Sequence, residues 1–540
     1  MISEITSVIQ KEKLKISRQQ MLLAFISGIL MSVSGSVFQM DWLAWFALVP
    51  LFYSFFNFRI NGKTGFQLSF ICSLTYYLGL LTWLFRLHPL TWIGFSAGES
   101  ILIITTGWFV FSLIESLGLS LMGYFMGLIN PDGWKRALIP ACLWIVIEWL
   151  QGLSDFGFTW GRLAISQYRN IFMIQSANLF GSLFITGLIV FTNAVLAIIL
   201  IDYLKNREKI SFKLLLSTFI LLTINMVYGI YTVFTKQDSG KSVNAAIIQG
   251  NILSDEKWNM SPQDALDIYL NLSQKALQET KNKNEKIDLF VWPETAVRDY
   301  IQNAVTFNQL SAFTSLSQTY LLTGVFDVKQ EAEKTYSIFN SIAGISPQGK
   351  ILGVYSKQHL VPFGEYLPFR GFLQLLMPKI TQINALGHDL SSGKDAGIIA
   401  TPFGNIGGLI CYESIFPQII QNSINDGAEL LVLVTNDSWF KDSKGVYQHN
   451  AQFVFRAVEN DRYMLRAANT GVSTIISPEG RILNELGPLT KDYLVGTVKF
   501  RDRQTIYSKI GDFIAILSLI MLILFGFLTK KELKVELYDK

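Results

Sequence analysis

Residues 406–417 read IGGLICYESIFP, an apolar run followed by a cysteine and by a turn that ends in a proline. The run Ile406 to Ile410 is typical of a buried strand, and the proline favours the start of a helix after the turn. Cys411 therefore lies where a strand ends and a helix begins, next to backbone N–H groups that favour a thiolate. We expect a reactive thiol at this position. The alternative, a small cysteine that only packs in the core, stays open at this point.

Cys411 belongs to the polar part of a chain whose composition is uneven. Half of the 540 residues are hydrophobic and 16% are charged, values that are typical of a membrane protein. Apolar runs dominate residues 20–235, whereas residues 240–505 have the composition of a soluble domain. Segments close to the ~20 residues that a bilayer requires predict eight transmembrane spans. These spans lie at about 20–38, 42–58, 64–85, 100–128, 137–152, 174–202, 214–234 and 510–529.

Basic residues indicate the orientation of these spans. Lysines and arginines cluster before the first span, between the second and third, before the fifth, between the sixth and seventh, and after the eighth. An N-terminus inside the cell places all of these clusters on the cytoplasmic side and the soluble block outside. Arg86, Arg162 and Arg169 fall on the outer side, so most but not all of the basic residues near the spans lie on the cytoplasmic side. We expect the first span to act as the export signal, without a cleavable signal peptide.

These patterns predict three regions along the chain. They are a membrane domain of about seven transmembrane helices at 1–237, a soluble domain at 238–507, and a final transmembrane helix with a basic cytoplasmic tail at 508–540. The soluble domain contains one cysteine, Cys411, so it cannot form an internal disulfide. A lone thiol in an oxidising compartment is consistent with a reactive role.

The soluble domain alternates strands with helices, the pattern of an α/β fold. Strands are predicted at 242–249, 287–292, 320–326 and 430–434, and helices at 261–281, 303–317 and 447–463. Two segments, 343–352 and 474–483, share the order strand, Pro-X-Gly turn, strand, which predicts two β-hairpins. We therefore expect sheets that are covered by helices.

Two further polar residues stand at the ends of apolar strands. Glu294 ends the run FVWPE, and Lys357 follows a strand at 351–356. A carboxylate that takes a thiol proton, an ammonium that stabilises an oxyanion and a nucleophilic sulfur form one coherent set for acyl transfer. Taken singly, Glu294 would be a solvated carboxylate and Lys357 a surface lysine. Separations of 63 and 54 residues between the glutamate, the lysine and the cysteine mean that only the fold can join them.

Other kinds of site have less support in the sequence. The chain has four histidines, and a Cys–His pair with His359 or His449 is an alternative to the Glu–Lys–Cys set. No cluster of Cys and His has the spacing of a metal site, and no glycine-rich phosphate loop occurs, so we expect no metal, no nucleotide and no other cofactor. The net charge of +4 is spread over loops, so we expect no nucleic-acid binding.

Several motifs resemble those of the nitrilase, or carbon–nitrogen hydrolase, superfamily. They are WPE ending at Glu294, SK ending at Lys357 and CYE beginning at Cys411. Over the whole chain, the sequence resembles the bacterial apolipoprotein N-acyltransferase family. Further matches are QGNI at 249–252, KW at 257–258, VPFGEYLP at 361–368 and NDSWF at 436–440. The resemblance implies an external α/β domain of the nitrilase-like αββα sandwich type, attached to a multi-span α-helical membrane domain.

The resemblance also implies roles for individual residues. Glu294 would be the base, Lys357 the oxyanion stabiliser and Cys411 the nucleophile. The supporting and substrate-binding residues that it implies are Glu365, Tyr412, Glu413, Trp258 and Trp439. From residue type alone, Glu365 would be a loop acid and Glu413 an acid at a helix N-terminus, where the helix dipole favours it. The three aromatic residues would be packing residues.

The activity that the resemblance implies is an acyl transfer in lipoprotein maturation. Cys411 would take an acyl chain from a phospholipid, with phosphatidylethanolamine as the implied donor, and would hold it as a thioester. The α-amine of an S-diacylglyceryl cysteine at the N-terminus of an apolipoprotein would then accept the chain. A lipid donor explains why a hydrolase-like site is attached to membrane spans. We expect a monomer in the bacterial inner membrane, with the catalytic domain on the periplasmic side.

Two other functions stay open from the sequence. A membrane-tethered amidase of the nitrilase type would hydrolyse a C–N bond and release an acid to water. A transporter or receptor would use the external domain only to bind a ligand and would not need Cys411. The apolar segment 369–379 is either an insertion packed on the domain or an arm that rests on the bilayer and admits lipid.

Overall fold

The computed structural model describes residues 15–35, 40–91, 94–153, 157–205, 211–236, 239–257, 259–332, 335–371, 375 and 389–538. Helices make up the described chain before residue 237, and strands and helices follow from residue 242 to 510. A long helix comes last. The predicted arm at 369–379 lies largely outside the described residues.

The helices of the first region begin at residues that satisfy their unpaired N–H groups. Ser17, Asn61 and Ser96 each accept a hydrogen bond from the backbone N–H three residues on, and the side chain at that position bonds back to the cap. Sequence-local capping therefore sets these helix starts. The helices are α1 (Arg18–Ser34), α2 (Val49–Asn57), α3 (Gly62–Leu80), α4 (Ala97–Ile129), α5 (Lys135–Gln151), α6 (Ala177–Phe180), α7 (Ser182–Leu204) and α8 (Phe212–Thr235).

Four helical stretches in the described part of the chain are long and apolar enough to cross a membrane, which indicates a membrane protein. They are Gly62–Leu87, Ala97–Ile129, Ser182–Leu204 and Phe212–Thr235. Each coincides with one of the eight predicted spans. Of the other four predicted spans, three contain the shorter helices α1, α2 and α5, of at most 17 residues, and the last contains the short apolar stretch Phe513–Gly526 of the final helix.

The second predicted span, 42–58, is wrong as one continuous helix. A 3-10 turn at Asp41–Trp45 is followed by the separate nine-residue helix α2, which has Pro50 in its first turn. Proline has no N–H to donate to the preceding turn, so it is tolerated in the first turn of a helix but not in its interior. Helix α2 therefore begins at Val49, just before this proline, instead of continuing from the 3-10 turn.

The second region contains two six-stranded sheets within the residues described. Its strands are β1 (Ser242–Gln249), β2 (Leu289–Val291), β3 (Tyr320–Ala332), β4 (Thr335–Ile345), β5 (Ile351–Ser356), β6 (Ile399–Thr401), β7 (Gly404–Ile410), β8 (Leu430–Thr435), β9 (Met464–Ala468), β10 (Ser473–Ile476), β11 (Ile482–Leu486) and β12 (Asp492–Lys499). Its helices, with the final one, are α9 (Ser254–Lys257), α10 (Pro262–Asn282), α11 (Ala304–Ser317), α12 (Pro417–Asn425), α13 (Lys444–Asn460), α14 (Ile506–Ile510) and α15 (Phe513–Tyr538). The predicted strands and helices of this region are confirmed, with bounds that shift by a few residues.

Both sheets have the same topology. The first has the strand order β12-β1-β2-β3-β4-β5, and the second has the order β11-β10-β9-β8-β7-β6. In each, two parallel pairings are flanked by antiparallel ones, since β1, β2 and β3 are parallel, as are β7, β8 and β9. The predicted hairpins are the pairs β4–β5 and β10–β11, which occupy the same place in the two sheets. Their similar turn sequences therefore mark an internal repeat of the fold.

The side chains of β1 alternate between two hydrophobic cores. Val243, Ala245 and Ile247 belong to the core between the two sheets, whereas Ala246 and Ile248 belong to the core between the first sheet and its helices α10 and α11. Helices α12 and α13 cover the outer face of the second sheet. The layers are helix, sheet, sheet, helix, so the predicted αββα sandwich is confirmed.

The helices on the second sheet also pack against the membrane region. One continuous hydrophobic core joins α12 and α13 with α1, α3, α5 and α7. The hydroxyl of Thr159 donates to the carbonyl of Ile415 at 2.9 Å, and Trp160 Nε1 donates to Gln448 Oε1 at 2.8 Å. The loop around Trp160 therefore holds the turn that carries Cys411 against the membrane region.

Candidate active site

The ends of four strands meet at one edge of the sandwich. Glu294 lies three residues after β2, Lys357 follows β5, Cys411 follows β7 and Asn436 follows β8. Because β7 and β8 are parallel neighbours, their carboxyl ends lie side by side. Cys411 has a φ of 53°, in the left-handed region, and begins a 3-10 turn that ends at Ile415. This sharp turn leaves the cysteine half-buried at the end of its strand.

Glu294 is held at both of its carboxylate oxygens. Asn340 Nδ2 donates to Oε1 at 2.7 Å, and the backbone N–H of Asn436 donates to Oε2 at 2.8 Å. Oε1 also lies 3.7 Å from Lys357 Nζ. Since Asn340 belongs to the first sheet and Asn436 follows a strand of the second, both sheets determine the orientation of this buried carboxylate.

Lys357 is the cation of the site. Its Nζ lies 2.8 Å from Glu365 Oε2, and the side chain is 1% exposed. Burial by itself lowers the pKa of this lysine, but Glu365, Glu294 and Cys411 outweigh burial and raise the pKa well above its usual value. Lys357 is therefore an ammonium at neutral pH, balanced by two carboxylates.

Glu365 connects the lysine to its own loop. Asn340 Nδ2 donates to Glu365 Oε1 at 2.9 Å, and the backbone N–H of Val361 donates to Oε2 at 2.8 Å. The amide of Asn340 therefore contacts both Glu294 and Glu365, while the lysine pairs with the same two carboxylates. The structure thus places Glu365, singled out in the sequence, inside the cluster.

The thiol of Cys411 joins this cluster from the second sheet. Glu294 and Lys357 are its electrostatic neighbours, and the side chain of Thr435 hydrogen-bonds to it. Removal from water raises the pKa of the thiol, Glu294 raises it further, and Lys357 only partly opposes this. The expectation of a thiolate favoured by helix N–H groups is therefore wrong, because a 3-10 turn separates the cysteine from α12. Cys411 is therefore a thiol at neutral pH, and a base beside it would be needed to form the thiolate.

Glu413 joins the turn of the cysteine to the loop of the lysine. Its Oε1 accepts hydrogen bonds from Tyr355 OH at 2.8 Å, from the Gln358 N–H at 2.6 Å and from the His359 N–H at 3.2 Å. Its Oε2 accepts one from the Ile410 N–H at 2.7 Å. This fully buried carboxylate links the ends of β5 and β7, so it fixes the spacing between Lys357 and Cys411.

The three aromatic residues singled out in the sequence have different positions. Tyr412 OH donates to the carbonyl of Gly157 at 3.0 Å, which joins the cysteine turn to the membrane region. Trp439 ends the 3-10 turn Asp437–Trp439 that follows β8, at the same edge of the sandwich. Trp258 lies outside the described residues. Roles of these residues in substrate binding stay predictions.

His449 contacts the backbone of Cys411 and not its sulfur. Its Nε2 lies 3.1 Å from the carbonyl oxygen of Cys411, and its Nδ1 lies 2.9 Å from Asp437 Oδ1. Because a carbonyl only accepts hydrogen bonds, Nε2 carries a proton and has no lone pair to take one from the thiol. The ring of His359 packs on Phe416, with 3.8 Å between ring centroids. This geometry favours the Glu–Lys–Cys set over a Cys–His pair.

Three residues of the cluster have no role in the sequence predictions: Asn340, Asn436 and Lys257. Lys257 Nζ donates to the carbonyl of Glu294 at 3.2 Å and to the hydroxyl of Thr295 at 2.5 Å. Burial lowers the pKa of Lys257 to about 7, although Glu294 acts to raise it. An amide inside the apolar strand β4 is a signal that points to Asn340. Asn436 acts through its backbone N–H, which residue type does not reveal.

The arrangement offers acid–base and nucleophilic groups for chemistry. Among the residues described, no three His, Cys, Asp or Glu side chains are grouped so as to hold a metal ion. A carboxylate beside a thiol can take its proton, and a buried ammonium beside both can stabilise an oxyanion.

Comparisons with known proteins relate both regions of the chain to described families. Residues 244–507 match the family model described as Carbon-nitrogen hydrolase, and residues 27–195 match the model described as Apolipoprotein N-acyltransferase N-terminal domain. The apolipoprotein N-acyltransferase of Geobacter metallireducens is 31% identical over 507 residues, which cover 93% of this chain and 93% of the relative. The protein of that name from Gloeobacter violaceus is 27% identical over 514 residues, 91% of this chain and 92% of its own.

A solved structure is also similar to part of the chain. It is that of Saccharomyces cerevisiae Nit3, a member of branch 10 of the nitrilase superfamily, with 18% identity and a TM-score of 0.38. The match covers 48% of this chain and 90% of Nit3.

Proposed function

Because this chain belongs to the apolipoprotein N-acyltransferase family, we propose that it transfers an acyl chain from a phospholipid to the N-terminal amine of an apolipoprotein through a thioester on Cys411. The observation that carries the proposal is the meeting of Glu294, Lys357 and Cys411 at one edge of the sandwich. That edge contacts the membrane region through Tyr412. A hydrolase of soluble substrates would have no use for four helices that can cross a membrane.

The first half-reaction loads the enzyme. Glu294 takes the proton of the Cys411 thiol, and the sulfur attacks the ester carbonyl of the phospholipid. The carbonyl oxygen becomes an oxyanion beside the Lys357 ammonium, which stabilises its charge. When the tetrahedral intermediate collapses, the C–O ester bond breaks, and Glu294 returns the proton to the leaving oxygen. A lysophospholipid departs, and the acyl chain stays on the enzyme as a thioester.

The second half-reaction unloads it. The free α-amine of an S-diacylglyceryl cysteine attacks the thioester carbonyl, and Lys357 again faces the oxyanion. Glu294 takes a proton from the amine as the C–N bond forms and gives it to the departing sulfur as the C–S bond breaks. The product is an amide, and the Cys411 thiol is restored. Because the pKa of this thiol is raised, its thiolate is a poor leaving group, so protonation of the sulfur by Glu294 helps it to depart.

Both substrates reach the enzyme from a membrane. We place the protein in the inner membrane, with the catalytic domain on the periplasmic side, phosphatidylethanolamine as the donor and a monomer as the working unit. The support for this placement is the match of residues 27–195 to the N-terminal domain of the family, together with the basic residues on the opposite side of the predicted spans. Vesicles that contain either phosphatidylethanolamine or phosphatidylglycerol distinguish the donor.

The decisive experiment is intact-protein mass spectrometry after incubation of the purified protein with phosphatidylethanolamine. We expect a mass gain of one acyl chain, which disappears when a diacylglyceryl-cysteine peptide is added and reappears as an amide on the peptide. Cys411→Ala removes the adduct because it removes the nucleophile. Cys142→Ala is the matched control: this cysteine is buried in α5, so the adduct persists.

Two results would contradict the proposal. Free fatty acid or ammonia without an adduct would indicate the membrane-tethered amidase. No adduct and no turnover, with binding of a ligand that Cys411→Ala leaves unchanged, would indicate a transporter or receptor.

A further inference from the structure

A buried polar network, which the proposed half-reactions do not use, lies directly behind Cys411. Asp437, His449 and Arg466 are each at most 1% exposed. Burying ionisable groups costs free energy unless they bond to one another. In this network, His449 Nδ1 lies 2.9 Å from Asp437 Oδ1, and Arg466 Nη2 donates to Asp437 Oδ2 at 2.6 Å. Arg466 Nη2 also lies 3.0 Å from His449 Nδ1.

The carboxylate at the centre of this network orients the imidazole. Burial raises the pKa of Asp437, but Arg466 and His449 outweigh burial and hold the pKa well below its usual value. The hydroxyl of Thr435 donates to Asp437 Oδ1 at 2.9 Å. A carboxylate fixed by three partners determines in turn which way the ring of His449 points.

The other nitrogen of the ring holds the peptide that follows the nucleophile. His449 Nε2 donates to the Cys411 carbonyl at 3.1 Å. Cys411 has the left-handed φ of 53°, a conformation that non-glycine residues keep only where surrounding contacts hold it. Since the peptide group between Cys411 and Tyr412 is planar, a hydrogen bond to its oxygen fixes the whole plane and with it the backbone conformation at Cys411.

We propose that His449 is a positioning residue: oriented by Asp437, it holds the carbonyl of Cys411 and keeps the cysteine in the left-handed turn that places its thiol beside Glu294, without taking part in proton transfer. The inference rests on the proposed function in that Cys411 is the nucleophile. The ring of Trp160 stacks on His449, with 5.4 Å between centroids. The network therefore also connects the nucleophile to the loop of the membrane region.

Two amide substitutions distinguish the contributions of the two imidazole nitrogens of His449. His449→Gln places an amide N–H near the position of Nε2 and so keeps the bond to the Cys411 carbonyl. His449→Asn places one near the position of Nδ1, beside Asp437, and loses that bond. The readout is the rate at which iodoacetamide alkylates Cys411, followed by mass spectrometry of the labelled peptide. We expect His449→Asn to slow alkylation roughly tenfold, the effect of one lost hydrogen bond, and His449→Gln to restore most of the rate.

Control variants distinguish positioning from other roles. Val454→Ala, buried in the same helix α13, lowers thermal stability and leaves the alkylation rate of the folded protein unchanged. If His449 were a base, the Gln and Asn variants would lose the rate equally. If it only supported the fold, both would lower the unfolding temperature and neither would slow alkylation. Either result overturns the inference.

The alkylation rate reports on the Cys411 thiol in the absence of any lipid substrate. Should the wild-type protein form no acyl adduct while the Gln and Asn variants still differ, the proposed function fails and the positioning role stands. Should the wild-type protein form the adduct while the two variants behave alike, the proposed function stands and the positioning role fails.

Discussion

Glu413 receives four hydrogen bonds on one buried carboxylate, from Tyr355 OH and from the backbone N–H groups of Gln358, His359 and Ile410. Burial raises the pKa of this carboxyl to about 7, although Lys357 and the donors act to lower it. All four partners donate, so only the ionised form satisfies every one of them. A single proton therefore decides whether the ends of β5 and β7 stay tied together.

This carboxyl predicts a pH dependence of acyl loading. The folded pKa lies above the usual value for glutamate, so below about pH 7 the folded protein takes up a proton that the unfolded chain does not yet bind. This group consequently favours folding as the pH falls from 7 toward 4.5, while its tie between the two strands is lost. We expect the rate of adduct formation to fall below about pH 7 without a matching fall in the unfolding temperature.

The rate of adduct formation is measured at several pH values between about 5.5 and about 8.5, and thermal unfolding is recorded at each of them. Glu413→Gln is the informative variant, because the N–H group of its amide would face a partner that also donates a hydrogen bond. We expect this variant to form the adduct slowly at every pH, without the change in rate that the wild-type protein shows near neutral pH. A wild-type rate that is equal at pH 8 and about pH 6 would contradict the assignment.

Side chains that carry chemistry at strand ends can be predicted from the sequence. Glu294, Lys357 and Cys411 each interrupt an apolar run, and the fold brings them together as expected. The protonation state of Cys411 could not be predicted, because the pKa of its thiol depends on burial and on the nearby charge of Glu294. The contact from Asn436 is made by its backbone N–H, which every residue except proline carries.

At the scale of elements, strand β3 sets the place of the loop that carries Glu294. Gly324 on β3 faces the backbone of this loop, and a Cβ at this position would lie 2.4 Å from Thr295 N and 2.5 Å from the Pro293 carbonyl oxygen. Atoms of the backbone cannot turn aside as a flexible side chain can. The glycine therefore lets the loop lie close enough for its carboxylate to reach the lysine.

Gly324→Ala is expected to push this loop away. The strain costs about 1–3 kcal/mol of stability, and adduct formation falls because the carboxylate no longer lies beside the thiol. Gly487→Ala is the matched control, since a Cβ there meets nothing within 4 Å. Thermal unfolding and intact mass follow both variants. A fully active Gly324→Ala protein would show that the loop tolerates displacement.

Hairpins were predictable at this scale because the Pro-X-Gly turn between strands has a distinct signature, and both occur. The membrane helices were less predictable. Hydropathy alone predicts one continuous element over the second predicted span, because it does not register that a new helix begins beside Pro50. Long capped helices such as α4 follow directly from Ser96 and the apolar residues after it.

At the scale of the whole molecule, Lys236 ties the membrane region to the catalytic domain. It follows α8, and its Nζ lies 2.6 Å from Asp461 Oδ1 and 3.7 Å from Glu479 Oε1, with the lysine 5% exposed. Asp461 also pairs with Arg501 at 3.0 Å. The end of a membrane helix is thus joined to the end of α13, the helix that carries His449.

Lys236→Met is expected to lower the unfolding temperature by roughly 4–8 °C, since removing one partner of a buried ion pair leaves a carboxylate poorly compensated. Lys275→Met is the matched control: its pair with Asp492 spans 3.4 Å with both side chains about half exposed. Such surface pairs contribute about 0–1 kcal/mol. Equal shifts for the two variants would show that the Lys236 contact does not join the two regions.

The pairing of β12 with β1 has a consequence for how the chain is made. All eight residues of β1 pair with β12, from Ser242 with Lys499 to Gln249 with Asp492. A ribosome synthesises β1 long before β12, so in the growing chain the outer edge of β1 has no strand to pair with and is open to association with other chains. Glu294, Lys357 and Cys411 are all synthesised before this edge is covered. A nascent chain therefore needs protection of this edge until its last strand is made.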